Sequence, residues 1–177
     1  MGTPAAPCEV LLFCSILYSS AERADRAVQE LEGTYGSTLF RSDPLPFTFT
    51  SYYEGEMGSP LHRIVLAFDS LVPRNSLPSV KIRTNGIEER LTDGGRRLVN
   101  LDPGILSLEN VCLATTKPYS HRIYLDAGIW AEVTLIYRKD SYHPLEWTYP
   151  DYASQELIVI FNHLRKLYKE RSRCHEA

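Results

Sequence analysis

Thr115-Thr116-Lys117 and His121-Arg122 place two hydroxyls, an ammonium, an imidazole and a guanidinium around one turn, Pro118-Tyr119-Ser120. Apolar runs flank the turn, so core-building segments fix its polar ends. Hydroxyls that donate hydrogen bonds, next to side chains that carry positive charge, are groups that receive an anion's oxygens. His121 is the acid/base candidate of the set, because an unperturbed imidazole titrates near neutrality. The alternative is a solvated turn with its basic groups splayed outward.

A second polar set is helical. Lys81, Thr84, Asn85 and Glu88 recur at i, i+3, i+4 and i+7 and project from one side. That side lies about 90° from the Val80, Ile87 and Leu91 face, at the rim of the core, where a cleft wall would stand. The alternative is a solvated face with side-chain contacts worth a few tenths of a kcal/mol. A hairpin supplies a third set. Pairing Leu125 with Ile129 across a three-residue loop, Asp126-Ala127-Gly128, puts Tyr124 opposite Trp130 and Arg122 opposite Glu132 on one face. Arg122 and Glu132 are then either a wet ion pair worth under about 1 kcal/mol or a guanidinium held in place for an anion.

Asn100 and Asp102 end a short strand, Leu98–Leu101, with Asp102-Pro103-Gly104 read as a turn. Glu54 and Glu56 share a face if their segment is extended. With Asp102 they offer oxygens to Mg²⁺, but no spacing enforces this and no metal ligand is assigned. The candidate ligand-binding residues are therefore Lys81, Thr84, Asn85, Glu88, Asn100, Asp102, Thr115, Thr116, Lys117, His121, Arg122 and Glu132. No nucleophile elbow, Walker loop, HExxH or GxGxxG is present, and His62, His121 and His143 lack metal-ligand spacing. The cofactor is therefore unknown.

These residues need elements to carry them. Val10–Tyr18 reads as a strand buried on both faces. Ser19 and Glu22 form a capping box, and Ala24, Ala27, Val28 and Leu31 form the apolar stripe of a helix ending near Gly33 or Gly36. Ser37–Arg41 and His62–Phe68 read as strands. The helix around Lys81 contains Gly86, which suits close approach of another backbone. Val111–Thr116, His121–Leu125 and Ile129–Tyr137 form a meander. A last helix runs from about Ala153 to Arg171 on Leu157, Ile160, Phe161, Leu164 and Tyr168. The expected fold is α+β: a ferredoxin-like βαββαβ half, extended by a β-meander and a C-terminal helix, with helices mainly on one sheet face.

The chain of 177 residues suits one domain, with loose ends at 1–8 and 172–177. A net charge of −3 argues against coating nucleic acid through bulk charge. The basic helix end, Arg165, Lys166, Lys169, Arg171 and Arg173, fits the helix dipole, with nucleic-acid contact as the other reading. Cys8, Cys14, Cys112 and Cys174 have no CxxC spacing and suggest no disulfide framework, so a cytoplasmic location is expected. The apolar run Val10–Leu17 is too short to span a bilayer, so no membrane partner is expected. Oligomeric state has no signature here.

Five stretches, "FTFTSYYEGEMG", "VKIRTNGIEERL", "VNLDPGILSLENVCLATTKPYSHRIYL", "GIWAEVTLIY" and "PLEWTYPDY", resemble a family of uncharacterised bacterial proteins, the domain of unknown function 4416. The resemblance runs from about Val10 to Tyr168 and implies no reaction, substrate or catalytic residue. The residues themselves support a cleft for a small anionic ligand, phosphate-bearing or nucleotide molecules included. The second reading is a non-catalytic protein- or RNA-interaction module. Its face would be Tyr142, Trp147, Tyr149 and Tyr152, aided by the basic helix.

Overall fold

A computed structural model describes residues 2–172. Arg173, Cys174 and the rest of the expected loose C-terminus lie outside the described residues. In chain order the elements are β1 (Val10–Tyr18), α1 (Ala21–Tyr35), β2 (Thr38–Arg41), β3 (Leu45–Pro46), α2 (Glu54–Met57) and β4 (His62–Val72). Then come α3 (Leu77–Arg90), β5 (Thr92–Asp93), β6 (Arg96–Arg97), β7 (Val99–Leu106) and β8 (Asn110–Thr115). The chain finishes with β9 (Ile123–Asp126), β10 (Ile129–Arg138), β11 (Ser141–Pro144) and α4 (Gln155–Arg171). The fold is α+β, built on one large antiparallel sheet ordered β11-β10-β8-β7-β1-β4-β2. The crossover helices α1 and α3 join β1 to β2 and β4 to β7.

All nine residues of β1 are buried, because β4 and β7 flank it and helices cover both its faces. Val10, Leu12, Cys14, Ile16 and Tyr18 face the core shared with α1 and α3. Leu11 and Phe13 face the opposite core, where Phe13 meets Phe161 of α4 edge-on at 5.0 Å. Helices thus occupy both faces of the sheet, contrary to the one-sided packing expected. An apolar residue on each face of β1 needs cover, and burying a side chain such as Phe13 is worth about 1.5–3 kcal/mol.

Local signals need three adjustments. The cap of α1 is Ser20, whose hydroxyl accepts the Arg23 N–H, while Ser19 donates to the Met57 carbonyl. No capping box with Glu22 forms. The hairpin loop is the two residues Ala127 and Gly128, at φ 49° and 79°, with Asp126 opposite Ile129. Tyr124 still pairs with Trp130, ring to ring at 5.4 Å. The segment carrying Glu54 and Glu56 is a helical turn, α2, not an extended strand.

The largest departure is at Asp102-Pro103-Gly104, which lies inside β7 opposite Ser15, Cys14 and Phe13. Turn-type residues have other reasons to be here. A Cβ on Gly104 would sit 2.4 Å from Phe13 Cζ and 2.7 Å from the Cys112 carbonyl oxygen, so only glycine lets these groups close. Gly86, by contrast, meets only the far end of Arg90, and no other backbone approaches it. The N–H and C=O of Leu101 bond side chains of α3, so they point away from β1. Backbone direction alternates along a strand, so Pro103 points the same way, and its missing N–H costs no bond to β1.

The N-terminal segment is pinned at its inner end. Arg74 donates to the Cys8 carbonyl and Tyr168 to that of Glu9. Cys8 is disulfide-bonded, against the expectation of no such link, while Cys14 and Cys112 are free. No helix among the described residues is long and apolar enough to cross a membrane.

Candidate functional site

The sheet opens between β7 and β8. Their ladder runs only from Gly104–Leu113 to Leu106–Val111. On one side of that opening β7 stays with β1; on the other, β8 continues along β10 through Ala114 and Thr115. A cavity of about 790 Å³ opens in this region, within the size range of small-molecule sites.

Helix α3 repairs the exposed edge of β7. Lys81 Nζ donates to the Leu101 carbonyl at 2.9 Å, and the Leu101 N–H donates to the Glu88 carboxylate. Two side chains thus stand in for a missing strand. Burial pushes the Glu88 carboxyl above its ordinary range, opposed by the Lys81 charge and by that N–H. Thr84 is fully buried and donates back to the Lys81 carbonyl, so it faces the core. Lys81, Asn85 and Glu88 line the cavity.

Arg122 is clamped. Its Nε lies 2.8 Å from Glu132 Oε2, its Nη1 2.8 Å from the Lys117 carbonyl and its Nη2 3.3 Å from the Tyr149 hydroxyl. Glu132, only 2% exposed, also meets His121 Nε2 at 3.0 Å. One carboxylate oxygen therefore serves both the Arg122 guanidinium and the His121 ring, and Glu88 takes no part in this cluster. The His121 ring stacks between Tyr119 and Trp147, at 5.9 and 5.1 Å, and does not line the cavity. Asn100, Asp102, Thr115, Thr116, Lys117, Arg122 and Glu132 do. The cavity thus gathers ten of the twelve expected residues from five separate elements or turns and leaves out Thr84 and His121.

A family model described as a domain of unknown function, DUF4416, matches residues 8–168. The chain belongs to the DUF4416 family. No curated protein and no solved structure matches it. All five stretches by which the chain resembles that family contribute wall residues: Phe47, Lys81, Asn100, Glu132 and Tyr149 are one from each.

The DUF4416 cavity also contains residues that local sequence reasoning missed. Arg63, on β4, is 5% exposed and sits between the rings of Phe47 and Tyr152, 5.0 and 5.1 Å away. Its Nη2 lies 2.7 Å from Asp151 Oδ2. Its Nε and Nη1 have no hydrogen-bond partner among the described residues, so the two rings face those donors instead. Burial raises the Asp151 carboxyl, and Arg63 draws it back down. Arg97, on β6, reaches Glu56 at 2.9 Å and lies 5.6 Å over the Tyr53 ring. Burial pushes the Tyr53 phenol up to about 12. The signal for Arg63 was an arginine inside "HRIVLAF", an otherwise apolar strand.

The charge balance is mixed. Five basic side chains, Arg63, Lys81, Arg97, Lys117 and Arg122, face six carboxylates, Glu56, Glu88, Glu89, Asp102, Glu132 and Asp151. Among the described residues, Lys117 alone of the five makes no ion pair. Its ammonium stands 5.8 Å over the Tyr52 ring.

The aromatic segment does not form one open face. Tyr142 and Tyr152 are core residues, and only Trp147 and Tyr149 reach solvent. At the basic helix end, Arg165 covers the Tyr137 ring and donates to the Leu108 carbonyl, and Arg171 pairs with Asp69.

Proposed function

We propose that this cavity binds a small anionic ligand, with the anionic group held at Lys117. The observation that carries the reading is the state of the five lining cations. Four are answered by carboxylates of the protein, and Lys117 is not. Thr115 and Thr116 bring hydroxyls to the same strand end. An unanswered ammonium beside two hydroxyls suits the oxygens of a phosphate or carboxylate. The aromatic wall of Phe47, Tyr52, Tyr53 and Tyr149 supports the remainder of the molecule, as in most small-molecule pockets.

Calorimetric titration and thermal shift with inorganic phosphate, ribose 5-phosphate and AMP test this. A ligand at about 100 Kd adds about 2.7 kcal/mol of stability. Lys117→Ala removes that gain while the free protein melts as before, because Lys117 is exposed. Anion binding that survives Lys117→Ala refutes the assignment. Arg122→Ala is a poor probe, since it strands the Glu132 carboxylate in the interior.

A further inference from the structure

A line of four side chains runs along the cavity wall and ends at Asp102. Glu56 Oε2 receives Arg97 Nη2 at 2.9 Å. Arg97 Nη1 donates to Asn100 Oδ1 at 2.9 Å. Asn100 Nδ2 donates to Asp102 Oδ2 at 2.7 Å. Each link orients the next. The Arg97 donor fixes which end of the Asn100 amide is oxygen, so its NH₂ must face Asp102. The backbone adds to this, because Asn100 and Asp102 are two apart on β7 and share a face.

The outcome is a carboxylate with one oxygen occupied and one open. Oδ2 is held by Asn100, while Oδ1 lies 4.0 Å from Lys81 Nζ, beyond hydrogen-bond length. The Asp102 side chain is 31% exposed and lines the cavity. An ionised carboxylate only accepts hydrogen bonds, so this oxygen suits donors on a ligand and repels a phosphate. Lys81 stands close enough to repel a ligand ammonium as well. Neutral donors remain, and among them a hydroxyl matches both neighbours, since it can donate to Asp102 and accept from Lys81.

We infer that the ligand is a phosphorylated polyol, bound at its hydroxyls by Asp102 and at its phosphate by Lys117 with Thr115 and Thr116. This rests on the anion-binding reading of the same cavity. Asp102 touches the ligand, and Asn100, Arg97 and Glu56 are positioning residues that act through it.

The test is calorimetric titration of the full chain with ribose 5-phosphate, inorganic phosphate and ribose. Ribose 5-phosphate should bind at least about tenfold tighter than inorganic phosphate, because a site built for hydroxyls discriminates against a ligand lacking them. Asp102→Asn should abolish that advantage, while inorganic phosphate should bind the variant at least as tightly as the wild type, because a charge that repels it is gone. Lys117→Ala should weaken both phosphorylated probes. The wild-type comparison needs no variant, so it decides the matter even if Asp102→Asn folds poorly. Inorganic phosphate binding as tightly as ribose 5-phosphate overturns the polyol assignment and leaves the anion site standing. An Asp102→Asn chain that keeps the tenfold advantage overturns the role of Asp102. Failure of both phosphorylated probes to bind overturns the anion reading itself, and this inference with it.

Discussion

Glu88 accepts the N–H of Leu101, a bond that β8 would take if the sheet were closed at that point. A carboxylate in this role makes the strand edge sensitive to pH. Burial raises the Glu88 carboxyl above its unfolded value, so the folded state holds its proton more tightly than the unfolded state. The resulting stability is fully present below the unfolded value of about 4.3 and is lost as pH rises through the folded one. Glu88→Gln keeps an acceptor for Leu101 and removes the titration. Wild type should therefore lose stability relative to Glu88→Gln as pH rises from about 4 toward neutrality. Urea midpoints measured across that range check it, and parallel curves would contradict it.

Gly104→Ala should be costly although it adds one methyl group. The new Cβ meets the Phe13 ring and the Cys112 carbonyl at distances real contacts do not reach. Overpacking of this kind costs about 1–3 kcal/mol, and a backbone neighbour that cannot yield puts this site at the upper end. Phe13→Leu in the same chain should recover part of the loss. A double-mutant cycle in urea reads the coupling directly.

Arg63 and Asp151 form a buried ion pair whose members are unequal to lose. Asp151→Asn leaves a guanidinium uncompensated between two rings and should cost about 3–5 kcal/mol. Replacing both, Arg63→Met with Asp151→Leu, should cost much less, because the charge and its answer leave together. Equal losses for the single and double replacements in equilibrium unfolding would show that the pair is not what the site depends on.

Cys112 should be silent toward thiol reagents in the native state. Burial pushes its thiol up to about 11, which leaves roughly one thiol in a thousand ionised at pH 8. Cys14 is buried more deeply, and burial raises its thiol as well. Labelling of either cysteine should appear only as denaturant unfolds the sheet, which mass spectrometry of labelled peptides follows.

Features set by near neighbours were legible in the sequence. The continuous apolar run of β1, the apolar stripe of α1 and the pairing of Tyr124 with Trp130 all follow from local pattern. The polar stripe of α3 was legible as a rim, yet periodicity could not separate Thr84, which bonds back into its own helix, from Asn85, which meets the cavity. Asp102-Pro103-Gly104 misled because turn composition and strand composition coincide where a proline faces a gap and a glycine admits a ring. The pairing of Arg63 with Asp151 was invisible because nothing near either residue in the chain names the other. His121 read as a site residue by its neighbours, but the register that aims Arg122 at Glu132 turns its ring toward Trp147.

The segment from Tyr149 to Tyr152 touches both buried arginines, Tyr149 at Arg122 and Asp151 at Arg63. It follows every described strand of the sheet. During synthesis, β7, β1, β4 and β2 therefore emerge from the ribosome well before the residue that balances Arg63. A nascent chain stopped short of Tyr149 holds the central strands and a cation with no counter-charge. The emergence of four residues then supplies the missing wall and the missing carboxylate together, so the cavity is completed only after the strands that frame it have been made.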